Sequence, residues 1–246
     1  MTKEMSFLIN GQSVAARYSD AFLEGCVVPL LVHWREMAKQ KKRRMIVFLA
    51  APPAAGKSTL AALFESISKK EPDQPQVQAL GMDGFHHYQS YILTHEVMVD
   101  GAHIPMKSVK GCPESFDFER FQRLLQTAKA KNCLWPHYNR MRHDVEDDVI
   151  EVKEDILLIE GNYLLLDEEP WKQLSSLCDE SIFIDTTKEA VKTRLINRKI
   201  AGGSLIHEAI HFFEQSDGRN VERILAHRLK ADITLYFDGT NYKRIN

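Results

Sequence analysis

The chain has 246 residues, 44% hydrophobic and 27% charged, enough to bury a sizeable core as one large α/β domain or two small ones. Its net charge of -2, from 32 basic and 34 acidic residues, points to neither nucleic acid nor an anionic membrane as a main partner. It has no 18-residue apolar run and no basic leader ahead of one, and its four cysteines are scattered without C-x-x-C spacing, so a cytoplasmic protein with reduced thiols is expected.

Residues 6 to 18 read as two short strands around an Asn10-Gly11 turn, the strongest short hairpin signal. From 20 to 40, Phe22, Leu23, Val27, Leu30, Leu31, Trp34 and Met37 keep helical spacing, interrupted only by Pro29. The basic run Lys39 to Arg44 is expected to be a solvated helix end, favourable at the negative end of the helix dipole, rather than a nucleic-acid patch.

Met45 to Ala50 is a fully apolar run. After it come a small-residue loop and then Gly56-Lys57-Ser58-Thr59, opening a segment with helical apolar spacing. This strand, loop and helix order is what phosphate binding requires. Backbone N–H groups of a tight loop at a helix N-terminus surround an anion, and the helix dipole adds to them. Ala54, Ala55, Gly56 and Thr59 belong to that cradle, Lys57 reaches the terminal phosphates, and Ser58 offers a hydroxyl to Mg²⁺. The usual pattern begins with glycine where this chain has Ala51, a mild departure if that residue has negative φ.

Further strands are expected at Val77 to Met82, Asp155 to Ile159, Ser181 to Ile184 and Asp232 to Phe237, with helices at Asp117 to Lys131, Lys188 to Ile200 and Val221 to Lys230. Near-continuous apolar strands alternating with helices imply a parallel sheet covered on both faces, and with the phosphate loop after its first strand the expected fold is three-layer α/β of the P-loop NTPase type. Its parallel five-stranded sheet carries helices on both faces, and an N-terminal hairpin and helix are added. Residues 1–44 are taken as the extension and 45–246 as the core, with a lid around 194–205. Ligands sit outside the carboxyl ends of such strands, so Lys57-Ser58, Asp83 and Glu160 should share one rim.

Phosphoryl transfer needs phosphates held, charge neutralised, and an acceptor hydroxyl aligned and deprotonated. Asp83, ending a strand, is placed to take the hydroxyl proton, and Glu160, ending another, to organise Mg²⁺. Arg194 and Arg198 lie on one helical face before Ala201-Gly202-Gly203, which suits a lid closing over ATP. His86, His87, Tyr88, His137, Tyr138 and His143 fit no zinc spacing. Substrate contact is the better expectation for them, with His87 and His137 the plainest surface histidines.

These blocks together resemble the superfamily of bacterial-type pantothenate kinase, uridine kinase and phosphoribulokinase. Asp83-Gly84-Phe85 is similar to a T-D-G-F signature, and Lys110 to Asp117 (K-G-C-P-E-S-F-D) to a K-G-x-P-E-S-[FY]-D block. Ile156 to Gly161 resembles an I-L-x-E-G ending, and Ile196-Asn197-Arg198 an I-N-R lid segment. The resemblance covers Met45 to the C-terminus. It implies that Asp83 is the catalytic base, that Arg198 reaches substrate and phosphates from the lid, and that Asn220 belongs to the acceptor site. Uridine kinase has a P-x-Y-x-F-x-x-H block, matched here at Tyr138 and His143. Arg140 replaces its stacking aromatic, and Gly111 replaces an acidic residue that holds ribose. Both departures weigh against a pyrimidine nucleoside and leave Arg140 and Arg142 to meet an anionic acceptor.

The expected function is transfer of the γ-phosphate of ATP, with Mg²⁺, to a hydroxyl of a pantothenate-, sugar- or nucleoside-like metabolite. The alternative is a regulatory NTPase without a small acceptor. The partners expected are that acceptor and, where the hairpin or Lys39 to Arg44 provides an interface, a second copy in a homodimer.

Overall fold

The computed structural model of the chain describes residues 2–9, 11–99, 101–237 and 242–245. In chain order its regular elements are β1 (Thr2–Ile9), β2 (Gln12–Ser19), α1 (Asp20–Phe22), α2 (Val28–Gln40), β3 (Met45–Ala50), α3 (Lys57–Ser68), β4 (Val77–Gly81), α4 (Gln89–Thr94), β5 (Glu96–Val99) and β6 (Ala102–Pro105). There follow α5 (Phe118–Ala130), β7 (Cys133–Asn139), β8 (Asp144–Val152), β9 (Ile156–Gly161), β10 (Glu180–Asp185), α6 (Lys188–Ala201), α7 (Ile206–Phe212), α8 (Gly218–Ala226), β11 (Ile233–Phe237) and β12 (Tyr242–Arg244).

The central sheet runs β12-β11-β10-β3-β9-β4. The five expected strands are present and parallel, and β12 adds a sixth, antiparallel, at one edge. Apolar side chains alternate between its faces. Met45, Val47 and Leu49 of β3 pack with α2, α3 and α6, while Ile46, Phe48 and Ala50 pack with α5 and Trp135. Period-two alternation with both faces buried makes the strand a continuous apolar run.

The N-terminal hairpin pairs Ile9 with Gln12. Asn10 lies outside the described residues; Gly11 has φ 78, the left-handed conformation a tight turn needs. Ser19 caps α1, and a π-helical turn, Leu23–Val27, stands directly before α2, whose first turn contains Pro29. A proline cannot donate to the helical ladder, and the wider turn falls where that ladder is broken. No helix among the described residues is long and apolar enough to cross a membrane.

The basic run does more than solvate a helix end. Lys39 pairs with exposed Glu36, but Arg43 makes a bidentate contact with Asp179 at 2.6 and 2.7 Å, and Lys41 joins it at 3.1 Å. Arg44 donates to the carbonyls of Glu154 (2.8 Å) and Ala128 (3.0 Å). These contacts clamp the entry of β3 to the segment before β10 and to the end of α5. Burial raises the Asp179 pKa, but donation from Arg43, the Ile46 N–H and Lys41 outweighs it, so the carboxyl sits well below its ordinary 3.8.

A depressed carboxylate pKa stabilises the fold above the unfolded value, and that stability is lost as pH falls toward the folded one. Asp179→Ala is expected to cost about 3 kcal/mol at neutral pH by stranding Arg43 and the Ile46 N–H. It should also flatten the loss of stability below pH about 4. Urea unfolding at pH 7 and pH 3.5 reads both effects, and an unchanged midpoint at pH 7 would refute the clamp.

Candidate active site

The loop after β3 takes its shape from two left-handed positions, Ala54 (φ 62) and Gly56 (φ 90). Ala51 is not one of them, so its Cβ meets no backbone penalty. Gly56 tolerates no side chain, since a Cβ there would stand 2.2 Å from Tyr242 Oη. That hydroxyl donates to the Ala55 carbonyl at 2.9 Å, and Thr59 Oγ1 donates to Gly56 O at 2.8 Å, closing the first turn of α3. Arg194 reaches the same loop from α6, with Nη1 3.3 Å from Ala54 O and its guanidinium 4.5 Å from the Phe237 ring centroid.

Lys57 is buried, with Nζ donating to Asn162 Oδ1 (2.7 Å) and Pro52 O (3.2 Å). Burial lowers its pKa, while Glu160 and Asp83 pull it back up. Sheet register brings those acids in. β9 lies between β3 and β4, so Glu160 pairs with Leu49 on one side and Gly81 on the other. Ser58 Oγ donates to Glu160 Oε1 at 2.7 Å. A hydroxyl and a carboxylate in contact are the kind of hard oxygen pair that takes Mg²⁺ when phosphates and water complete its shell. The described residues contain no group of three His, Cys, Asp or Glu able to hold a metal by themselves.

Asp83 follows β4 in the 3₁₀ turn Met82–Phe85. Gly84 lets this turn touch β7, because a Cβ there would lie 2.3 Å from Pro136 O. The Phe85 carbonyl accepts from Asp117 N (2.8 Å) and the Ser115 carbonyl from His87 N (2.9 Å), which fastens the K-G-C-P-E-S-F-D block beside Asp83. Burial raises the Asp83 pKa, yet His86, Arg140, Lys57 and Arg198 hold it below its ordinary value. His86 is itself kept neutral by burial, so at neutral pH the arginines and Lys57 carry that effect. Glu160 moves the opposite way: burial raises it, Lys57 opposes, and the charge on Asp83 adds to the rise. Of the two neighbouring carboxyls, Asp83 keeps the charge more firmly.

On the other wall, Arg140 Nη2 stands 3.8 Å from Asp83 Oδ2, and the His86 ring 5.2 Å from that of Tyr138. The Tyr138 hydroxyl is pushed up to about 12 by burial, so it remains a donor. Arg198, on the exposed face of α6, is within electrostatic reach of Asp83 and Arg140. The structure therefore brings Lys57, Ser58, Asp83, Glu160, His86, Tyr138, Arg140 and Arg198 into one cleft.

Other expected residues stand apart. Arg142 is turned outward and paired with Glu146 at 3.0 Å. His143 is exposed and offers only its carbonyl, to Lys110. Asn220 is buried in α8 with no side-chain hydrogen bond among the described residues. Three contributors escape a sequence reading. Asn162 follows Glu160-Gly161 directly and could have been found from that position. Lys110, bonded to Tyr138 Oη (3.0 Å) and Gln89 Oε1 (2.6 Å), opens a block already singled out. Tyr242 carries no local signal.

Residues 46–211 match the Phosphoribulokinase / Uridine kinase family. The uncharacterised protein YggC of Escherichia coli is 38% identical over 94% of each chain. A pantothenate kinase of Sinorhizobium medicae is 29% identical over 66% of this chain and 49% of its own. Among solved structures, a provisionally assigned fructose transport system kinase from Silicibacter sp. TM1040 superposes with a TM-score of 0.73 at 28% identity, covering 85% of this chain and 98% of that one. A phosphate loop on a five-stranded parallel core, two acids at adjacent strand ends, and a match spanning the sequence from β3 into α7 place the chain in the phosphoribulokinase and uridine kinase family.

Proposed function

We propose that the protein transfers the γ-phosphoryl group of ATP to a hydroxyl of a small metabolite. The observation that carries this reading is that Asp83, held ionised by surrounding cations, faces the same cleft as Lys57. A nucleotide switch needs the loop but has no use for a second wall containing His86, Tyr138 and Arg140.

In this reading the loop N–H groups from Ala54 to Thr59 and the Lys57 ammonium bind the β- and γ-phosphates, exchanging Lys57's contacts with Asn162 and Pro52 for phosphate oxygens. Ser58 and Glu160 would hold Mg²⁺, which would supply charge neutralisation for the transfer. Asp83 accepts the proton of the acceptor hydroxyl as its oxygen bonds to the γ-phosphorus and the bond to the ADP oxygen breaks. Arg198, with Arg194, closes from the 194–205 lid onto the transferring group. Tyr138 and His86 orient the acceptor, and Arg140 is set to pair with an anionic group on it. Cys26, Cys112, Cys133 and Cys178, scattered without C-x-x-C spacing, support placing the protein in the reducing cytoplasm.

The decisive experiment is a panel of hydroxylated metabolites with ATP and Mg²⁺, scored for ADP release; if none raises turnover above the protein alone, the reading fails. With an acceptor in hand, Asp83→Asn should lower turnover by about 10²-fold or more while ATP affinity changes little. Unchanged turnover would remove Asp83 from the mechanism.

The raised Glu160 carboxyl has a consequence for pH. It must be ionised to meet Mg²⁺, so kcat/KM at low Mg²⁺ should fall as pH drops, beginning above the ordinary 4.5 of a glutamate. Raising Mg²⁺ should shift that limb to lower pH, and Glu160→Gln should abolish the shift. A limb indifferent to Mg²⁺ would detach Glu160 from the metal.

A further inference from the structure

Beyond the cleft floor, one largely buried acidic side chain has no protein partner among the described residues. Asp217 ends a π-helical turn, Phe213–Asp217, directly before α8. It is only 8% exposed, yet it makes no hydrogen bond and no ion pair within 4.0 Å among the described residues. Its neighbour Ser216 is 2% exposed, and its hydroxyl is likewise unbonded. The closed-off Ser216 hydroxyl forfeits the hydrogen bonds it would make in water, whereas the unpartnered Asp217 carboxylate oxygens retain access to solvent. Single π-helical turns inside helices gather at functional sites.

The turn faces the acceptor side of the cleft. It packs against the 3₁₀ turn Met106–Val109, which leads into Lys110 and Gly111. The buried Tyr163, whose hydroxyl donates to Gly111 O, feels the Asp217 charge. So does Arg198, which in turn senses Asp83 and Arg140. The lid cations do not consume the carboxylate: the Lys199 ammonium sits 3.3 Å from the Phe212 ring centroid, and Arg198 is exposed. Burial raises the Asp217 pKa, with Arg198 and Lys199 opposing.

We propose that Asp217, backed by Ser216, is a specificity-determining residue of the acceptor site that accepts hydrogen bonds from hydroxyls of a sugar- or polyol-type acceptor, away from the hydroxyl that is phosphorylated. A carboxylate offers about four lone-pair sites, which suits neighbouring hydroxyls on one molecule. An ammonium ligand is disfavoured, because Arg198, Lys199 and Lys110 crowd the same wall with positive charge. The inference rests on reading the cleft as a small-molecule kinase site.

The test uses D-ribose, D-fructose, glycerol and myo-inositol, titrated calorimetrically into the full chain with Mg²⁺ and the non-hydrolysable analogue AMP-PNP. The same probes are scored in parallel with ATP for ADP release. At least one probe should bind, and Asp217→Asn should weaken it by about tenfold or more while AMP-PNP still binds, the scale of a hydrogen bond to a charged group. Deoxy analogues of the bound probe read the same contact without a mutation, so an Asn variant that fails to fold does not protect the idea: one deoxy position should lose about tenfold in the wild-type protein. Binding of no probe, equal affinity for all deoxy analogues, or equal affinity in a folded Asp217→Asn protein overturns the proposal. The kinase reading fails separately, by tight probe binding without ADP release. Turnover of a probe whose KM is indifferent to Asp217→Asn removes Asp217 and leaves the kinase standing.

Discussion

The register of β9 between β3 and β4 is the constraint on which the cleft depends. Pairing of Glu160 with both Leu49 and Gly81 sets a carboxylate from β9 level with the start of the phosphate loop and with the approach to Asp83. A slip of one residue would turn Glu160 to the opposite face of the sheet and bring an apolar neighbour into its place. Because all three strands are buried on both faces, that slip would also reverse every core contact of Ile156 to Ile159. The same burial that fixes the geometry creates the electrostatic problem. Two carboxyls close together in a partly desolvated cleft cannot both ionise without compensating charge, and Lys57, Arg140 and Arg198 supply it.

The phosphate loop is shaped from below as well as from within. Tyr18 of β2, Phe22 of α1, Phe237 of β11 and Tyr242 of β12 form an aromatic cluster, with centroids of 5.4 Å for Phe22 to Tyr242 and 4.6 Å for Phe237 to Tyr242. Deep burial drives the Tyr242 hydroxyl pKa upward, so it stays protonated and donates to Ala55. The cluster joins both ends of the chain to the loop. The N-terminal hairpin thereby bears on the shape of the loop through packing.

What was legible in the sequence follows from the physics of each element. A parallel strand buried on both faces is largely apolar, so all five were visible as runs despite Gln78 in β4 and Ser181 in β10, and chemistry placed at their ends was visible with them. The β7–β8 hairpin was not. Asp144–Val152 carries five acids in nine residues, and Pro136 breaks the register of its partner, so neither strand shows clean alternation. Strand β12 has only three residues, too few for any periodic signal. The same blindness affected side-chain direction. Arg140, Arg142 and His143 sit in or beside one tight turn, where His143 takes φ 54 and spacing no longer predicts which way a residue points. Arg140 turned toward Asp83, while Arg142 found Glu146 across the hairpin.

That division between the two arginines bears on how the cleft would respond to a nucleotide. Arg140 and Arg198 repel one another, and both are drawn to Asp83, while Arg198 is also drawn to Asp217. On the proposed reading, an incoming triphosphate adds negative charge beside Lys57 and ends the competition. Arg198 is then free to move to the phosphates and Arg140 to the acceptor. On the same reading the hinge for this movement lies directly after α6, where Gly203 adopts φ 98 and separates α6 from α7. Closure would thus need no dedicated trigger, because the charge that must be neutralised for transfer is the same charge that draws the lid.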